Sequence, residues 1–426
     1  MIKKYDAVII GSGPGGAAVA KELSEKGEKL LILEWGNNTP VKGSFSQFAI
    51  NAGIPGKSVL FTNKELLAIF RGICTGGSSI FYCGTAFEPP YEMLNSYGIS
   101  IEDEIQELKN ELPIAPLSDD LVGPAAKLMM NSAIDLGYDW QKLNKFIYQD
   151  KCKLDCAKCS YGCPYDAKWS ARNYIEQAIS NGAKLISNAK AGRVIIKNNT
   201  AVGVEYKKGF KLHQVFAEKI IVAAGGIGSP VILRQSGFDN AGYNFFFDPL
   251  IMVFGIVPEL HSAGEPQMAT GIHMKDEGYV MTDLSFSVPL IAVQSLVKFK
   301  VHRALSKPKM LMMMIKIKDD LGGKITQWGG VRKDLSNSDK QKLKNGYKRA
   351  KEILKNAGAE QIYSGGVVAA HPGGTVKVGE LLDSNLKTSC DNLYVCDCSV
   401  IPEAWGLPPT LTLLGLGKRL AKHLAG

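Results

Sequence analysis

An α/β fold with a second, α+β domain is predicted by three features of the sequence. Ala7-Val8-Ile9-Ile10 is a continuous apolar run, as a parallel strand buried on both faces requires. It enters Gly11-Ser12-Gly13-Pro14-Gly15-Gly16, after which apolar residues recur at helical period. Ile220-Ile221-Val222-Ala223-Ala224 is a second buried-strand run, again closing on a glycine turn. Between residues 244 and 371 the pattern changes to alternating runs such as Tyr279–Phe286, as expected of an antiparallel sheet. The first two features read as a Rossmann-like dinucleotide fold, the third as a separate domain beside it.

Each part of the opening unit has a physical task. Gly11 makes the tight turn, Gly13 lets the backbone approach a pyrophosphate, and Gly16 lets the helix pack on the strand. The helix N-terminus, with Pro14, offers oriented N–H groups to phosphates. Leu30-Leu31-Ile32-Leu33 is the next strand and ends on Glu34, placed to accept hydrogen bonds from a ribose diol. FAD and NAD share this fingerprint. A second glycine-rich loop, Arg71-Gly72-Ile73-Cys74-Thr75-Gly76-Gly77-Ser78-Ser79, favours FAD.

At this loop the chain resembles the glucose–methanol–choline (GMC) family of flavoproteins, whose second glycine motif shares the G-G-S-S core. The resemblance implies that Gly76, Gly77 and Ser78 approach the flavin, with Tyr82 where many members carry asparagine. It continues through the hairpin pattern of residues 191–206, turned at Asn198-Asn199, where Val194 is implied to meet the adenine. It continues again through Ala223-Ala224-Gly225-Gly226-Ile227-Gly228-Ser229-Pro230. The C-terminal signature follows in His371-Pro372-Gly373-Gly374-Thr375 and Asn392–Pro402. By this resemblance Ala224, Asp397, Pro409 and Thr410 also belong to the cofactor site, with Asp397 near the ribityl chain.

The implied organisation is a discontinuous FAD-binding domain of residues 1–90, 171–243 and 372–426. A helical and loop insertion of residues 91–170 and an antiparallel-sheet substrate domain of residues 244–371 complete it. Within the last, Ser338–Ala357 has a helix start and helical spacing. Met310–Ile315 reads as a core strand in preference to a pocket lining.

His371 occupies the family's catalytic histidine position, and a neutral imidazole suits removal of a hydroxyl proton. The family's second polar residue aligns with Pro408, or with Pro409 if a gap is allowed, and proline has no donor to offer. The usual pair is incomplete on this reading.

Cys152, Cys156, Cys159 and Cys163, the last followed by Pro164, crowd one short loop. The C-x2-C-x3-C-P half resembles ferredoxin cluster loops. A 4Fe-4S cluster is expected, with structural zinc as the alternative and two disulfides as a third arrangement. Cys74 or Cys83 could complete a ligand set, while Cys390, Cys396 and Cys398 read as small buried hydrophobes.

Composition bounds what remains. The 426 residues suffice for two domains, and 45 % hydrophobic with 21 % charged content is ordinary for a globular chain. A net charge of +9 could attract an anionic cofactor, an acidic redox protein or a lipid headgroup. No basic run interleaved with aromatics suggests nucleic acid. Met1–Lys4 leads straight into a strand without signal-peptide character. The apolar stretches Phe245–Val257 and Val288–Val297 read as buried strands. Membrane contact is therefore not indicated, and a reducing, cytoplasmic setting is expected.

Together these features point to an FAD-dependent oxidoreductase that exchanges a hydride with a small alcohol or carbonyl substrate. Electrons would pass through the cluster to or from a one-electron carrier such as ferredoxin. Reduction of a carbonyl or activated C=C bond, or an electron-transfer subunit without small-molecule chemistry, are the alternatives.

Overall fold

The computed structural model describes residues 4–296 and 298–426. Its first sheet is the predicted dinucleotide unit. Tyr5–Ile10 lies between Leu30–Leu33 and the C-terminal half of Lys211–Val222, and pairs with both in parallel. Lys184–Ile186 flanks Leu30–Leu33, and Leu393–Val395 adds to Lys211–Val222 on the other side, both again parallel. The helices Pro14–Glu25, Ala171–Ser180 and Thr410–Ala425 pack together beside this sheet.

These strands are apolar because helices and loops cover both faces. Val8, Ile9, Leu30, Ile32, Ile220 and Ile221 are all fully buried. Each such side chain contributes about 1.5–3 kcal/mol relative to exposure. The N-terminal half of Lys211–Val222 turns back as an antiparallel partner of Thr200–Lys208, which pairs with Ala189–Lys197. Asn198 and Asn199 join these two strands with φ of 49° and 57°, the left-handed pair that a tight hairpin turn needs.

The second sheet has nine strands and is mainly antiparallel. Its centre is Pro249–Ile256 against Met310–Ile317, in the register Leu250↔Lys316 and Met252↔Met314. Tyr279–Leu284 and Thr270–Met274 extend it on one side. Asn337–Asn356 covers one face, opened by a capping box between Ser336 and Asp339. Val59–Phe61, Ala68–Phe70 and Gln141–Lys142, which precede residue 244 in the chain, also join this sheet.

The Met310–Ile317 run is a core strand buried at every position, as expected. Pro249–Ile256 is likewise fully buried. Val288–Leu296 departs from expectation: it is a helix, not a buried strand, and much of its outer face is exposed. Its nine residues carry no charge and only Gln294 and Ser295 as adjacent polar side chains, too few to tell a strand from a helix by period.

Candidate active site

The predicted glycine residues meet at the C-terminal ends of the first-sheet strands. Gly11 has φ of +107°, and a Cβ there would collide with the Ala223 carbonyl. A Cβ on Gly16 would crowd the Gly11 carbonyl and the Ala223 methyl. Gly13 differs: a Cβ there would meet nothing within 4 Å. Packing does not explain its lack of a side chain, whereas the approach of a ligand would.

Ser12 ties three predicted elements together. Its hydroxyl donates to Glu34 Oε2 at 2.5 Å and accepts from the Gly76 amide at 3.1 Å. Glu34 also accepts from the Ser12 and Gly36 amides, at 3.2 and 2.7 Å. Burial pushes the Glu34 carboxyl above its usual range, and the Ser12 and Gly36 donors oppose that rise. Gly77, at φ +57°, lies against Gly13, so the two glycine loops face one another. Ser78 is exposed and accepts from the Gly72 amide at 3.0 Å.

On the other side of the crevice Asp397 organises the turn that contains Ala224. Its Oδ2 accepts from the Ser229 hydroxyl and the Gly225 amide at 2.5 and 2.8 Å, and its Oδ1 from the Ser399 amide at 2.7 Å. Pro409 caps the Thr410–Ala425 helix, whose first turn has no side-chain partner. The Val194 amide donates to Ser236 Oγ at 2.8 Å. An adenine using that amide would have to displace the hydroxyl.

His371 stands at the junction of the two sheets. The loop that carries it touches the Gly226 turn so closely that a Cβ on Gly226 would strike the Pro372 carbonyl. His371 Nδ1 lies 3.0 Å from Asp248 Oδ2. Lys316 Nζ lies 3.2 Å from the same oxygen and 3.3 Å from Nδ1. Asp248 and Lys316 are almost wholly buried, while a quarter of the His371 side chain is exposed.

Burial holds the imidazole below the usual histidine range. The Lys316 cation adds to that, and Asp248 opposes it. With Asp248 ionised, Nδ1–H donates to it, which leaves Nε2 as the free lone pair. The trio therefore presents a neutral, oriented base, or an acid once protonated.

A sequence profile described as GMC oxidoreductase matches residues 5–250, and its C-terminal counterpart matches residues 330–417. The chain belongs to the GMC oxidoreductase family. It is accordingly an FAD-dependent oxidoreductase. An uncharacterized protein of Methanocaldococcus jannaschii is 28 % identical, covering 99 % of this chain and 100 % of that one. A long-chain-alcohol oxidase of Arabidopsis thaliana is 22 % identical, covering 99 % of this chain and 66 % of its own length. Among solved structures, pyridoxine 4-oxidase from Mesorbium loti superposes with a TM-score of 0.77 at 16 % identity over 99 % of both chains. Aspergillus oryzae formate oxidase gives 0.76 at 14 % identity, over 99 % of this chain and 98 % of that one.

The crevice of this GMC chain fits FAD. Gly13 opens onto unfilled space, and the N-terminus of the last helix has no side-chain cap. Two hydroxyls nearby, Ser399 Oγ and Thr412 Oγ1, are buried without a partner.

Asp248 and Lys316 were not singled out in the sequence. Each is a lone charge in an apolar strand context, Phe245-Phe246-Phe247-Asp248 and Met312-Met313-Met314-Ile315-Lys316, and that contrast was the available signal. The buried carboxylate and ammonium come from the second sheet.

The four cysteines of the short loop face one small cavity, together with Ile147, Lys168 and neighbours. All four are free thiols in the structure. Among the described residues no three His, Cys, Asp or Glu side chains are gathered to hold one metal ion. Preformed zinc coordination is therefore absent from the described side chains. Burial pushes the Cys152 thiol up to about 12, with the other three thiols adding to the rise. Lys168 Nζ binds the Cys159, Tyr82 and Ile80 carbonyls at 2.6, 2.6 and 3.0 Å, fastening this loop to the residues just after the second glycine motif. Tyr82 donates to the Trp169 carbonyl at 2.8 Å, so its hydroxyl holds backbone. Cys390, Cys396 and Cys398 are buried, as expected.

Proposed function

We propose that this GMC oxidoreductase interconverts a small organic alcohol and its carbonyl product, with His371 as the acid–base group. The single observation that carries the reading is the buried Asp248–Lys316 pair behind a partly exposed imidazole. FAD, when bound, supplies the two-electron hydride acceptor or donor at N5. The residues proposed to hold it are Gly11, Gly13, Pro14, Gly16, Glu34, Gly76, Gly77, Ser78, Val194, Ala224, Asp397, Pro409 and Thr410. His371 Nε2 takes the hydroxyl proton in oxidation and returns it in reduction. Asp248 fixes the ring and its tautomer, and Lys316 holds the Asp248 carboxylate in place. The names of the relatives, covering long-chain alcohols, pyridoxine and formate, support oxidation at an oxygenated carbon.

Cys152, Cys156, Cys159 and Cys163 are proposed to hold a 4Fe-4S cluster. The four thiols line one cavity on a single loop, and their C-x2-C-x3-C-P spacing is what supports a cluster there. Lys168 fastens the loop through the Cys159 carbonyl, which holds the backbone between the cysteines in place. A cluster supplies one-electron transfer, which would make an external one-electron carrier such as ferredoxin the partner.

Two measurements test these readings separately. His371→Ala should abolish turnover yet leave FAD reducible by an artificial donor, and unchanged turnover would remove the acid–base role. Anaerobic purification with iron, sulfide and zinc analysis tests the loop. Zinc without iron, or neither metal, would remove the electron relay. A pure electron-transfer subunit would need no such buried trio, which argues for small-molecule chemistry.

A further inference from the structure

The Val288–Leu296 helix reads Val-Pro-Leu-Ile-Ala-Val-Gln-Ser-Leu, without a single charge. Its inner side, Ile291 and Ser295, is buried against the second sheet, where Ser295 Oγ meets the Tyr363 hydroxyl at 3.1 Å. Its outer side is apolar as well: Val288, Val293 and Leu296 are exposed. The chain beyond continues this surface. Phe299 is 90 % exposed, and Leu305, on the 3₁₀ turn Val301–Lys309, is 81 % exposed. A surface helix ordinarily turns polar residues outward, so an apolar outer face calls for a non-aqueous contact.

The charge around this face has one sign. From residue 284 to residue 318 the chain has no Asp or Glu, while Lys298, Lys300, Arg303 and Lys309 frame the exposed apolar side chains. Among the described residues none of these four forms an ion pair, and Lys298 and Lys309 are exposed. Lys307 behaves differently. It is buried and donates to the Ser262 and Ala263 carbonyls, which pins the turn to the body. The apolar strip also extends sideways. Ser287 hydrogen-bonds Tyr161, whose ring packs edge-on against Phe45 with centroids 5.9 Å apart. Phe45 and Ile50, on the Phe45–Ala52 helix, are exposed too.

We infer that this face, formed by Val288–Leu296, Phe299 and Val301–Lys309, docks on an anionic bilayer surface. Phe299, Leu305 and Leu296 enter the headgroup boundary while Lys298, Lys300, Arg303 and Lys309 meet the anionic headgroups. No helix among the described residues is long and apolar enough to cross a membrane, so the contact is peripheral. The helix masks its role in the sequence, where the run reads as a buried strand and membrane contact is not indicated. Beneath the face lies an apolar layer containing Met310, Met312, Met314 and Phe254. Lys316 follows at the same two-residue spacing on that strand, so the docking face and the His371 trio share one side of the sheet. The inference does not depend on the proposed reaction.

The test is co-sedimentation of the FAD-loaded protein with vesicles of phosphatidylcholine alone, or of phosphatidylcholine mixed with phosphatidylserine. Binding to the mixed vesicles that weakens with salt is expected, with little binding to phosphatidylcholine alone. The pair Phe299→Ser and Leu305→Ser should lower that binding about tenfold or more, and Lys298→Glu with Lys309→Glu should do the same. Flavin content and thermal unfolding of both variants should match the parent, because all four side chains point away from the core. No binding to either vesicle, or binding that these variants leave unchanged, would overturn the inference. So would a dimer in light scattering that Phe299→Ser converts to monomer, since a second copy would then cover the face.

Discussion

The two sheets of this molecule hold their functional groups by opposite means. In the first, the crevice is built from backbone: Gly11 and Gly16 admit close approach, and amides and hydroxyls converge on Glu34 and Asp397. In the second, the work falls to charged side chains taken out of water, with Lys316 and Asp248 behind His371. A backbone site fails when a methyl group is added. A buried-charge site fails when one partner is removed, because the other is left uncompensated.

The largest effect should come from Gly11→Val. Its positive φ and the Ala223 carbonyl leave no room, so loss of flavin absorbance and of folded yield is expected. Next, His371→Ala should lower kcat by about 10²–10⁴-fold with FAD retained, as removal of a general acid–base group does. A smaller loss confined to KM would place the histidine outside the chemistry.

The partners of His371 should be separable by pH. The imidazole lies below its ordinary value, so alcohol oxidation should hold steady as pH falls toward that range and decline once the ring protonates. Lys316→Met removes a cation that disfavours the protonated ring, and the inflection should move up. Asp248→Asn removes a group that favours it, and the inflection should move down. Shifts in the same direction would break the proposed arrangement. Gly13→Ala should have the smallest effect on the fold. Its Cβ meets no protein atom, so thermal stability should persist while FAD affinity falls. That result would set the ligand-facing glycine apart from the packing glycines.

This contrast also governs what could be read in advance. Gly11, Gly13, Gly16 and Glu34 lie within one short stretch, where spacing alone fixes geometry. The Asn198-Asn199 hairpin and the helix expected over Ser338–Ala357, found at Asn337–Asn356, were legible for the same local reason. Asp248 and Lys316 are 68 residues apart and meet only through the register of two strands, which no local pattern encodes. Val59–Phe61 joins the second sheet from far upstream, again without a local sign. The Val288–Leu296 helix was misread because periodicity needs polar residues to show, and it has almost none.

One buried lysine bears on how the chain folds. Lys145 Nζ is bound by the carbonyls of Cys83, Gln267 and Met268 and by the Thr85 hydroxyl, at 2.6 to 3.1 Å. Burial lowers its pKa to about 8. These partners come from stretches separated by more than a hundred residues, and until all are in place the ammonium has no substitute for water. Partial assembly is thereby penalised. The two halves should consequently unfold in a single cooperative transition, each acting as the other's template.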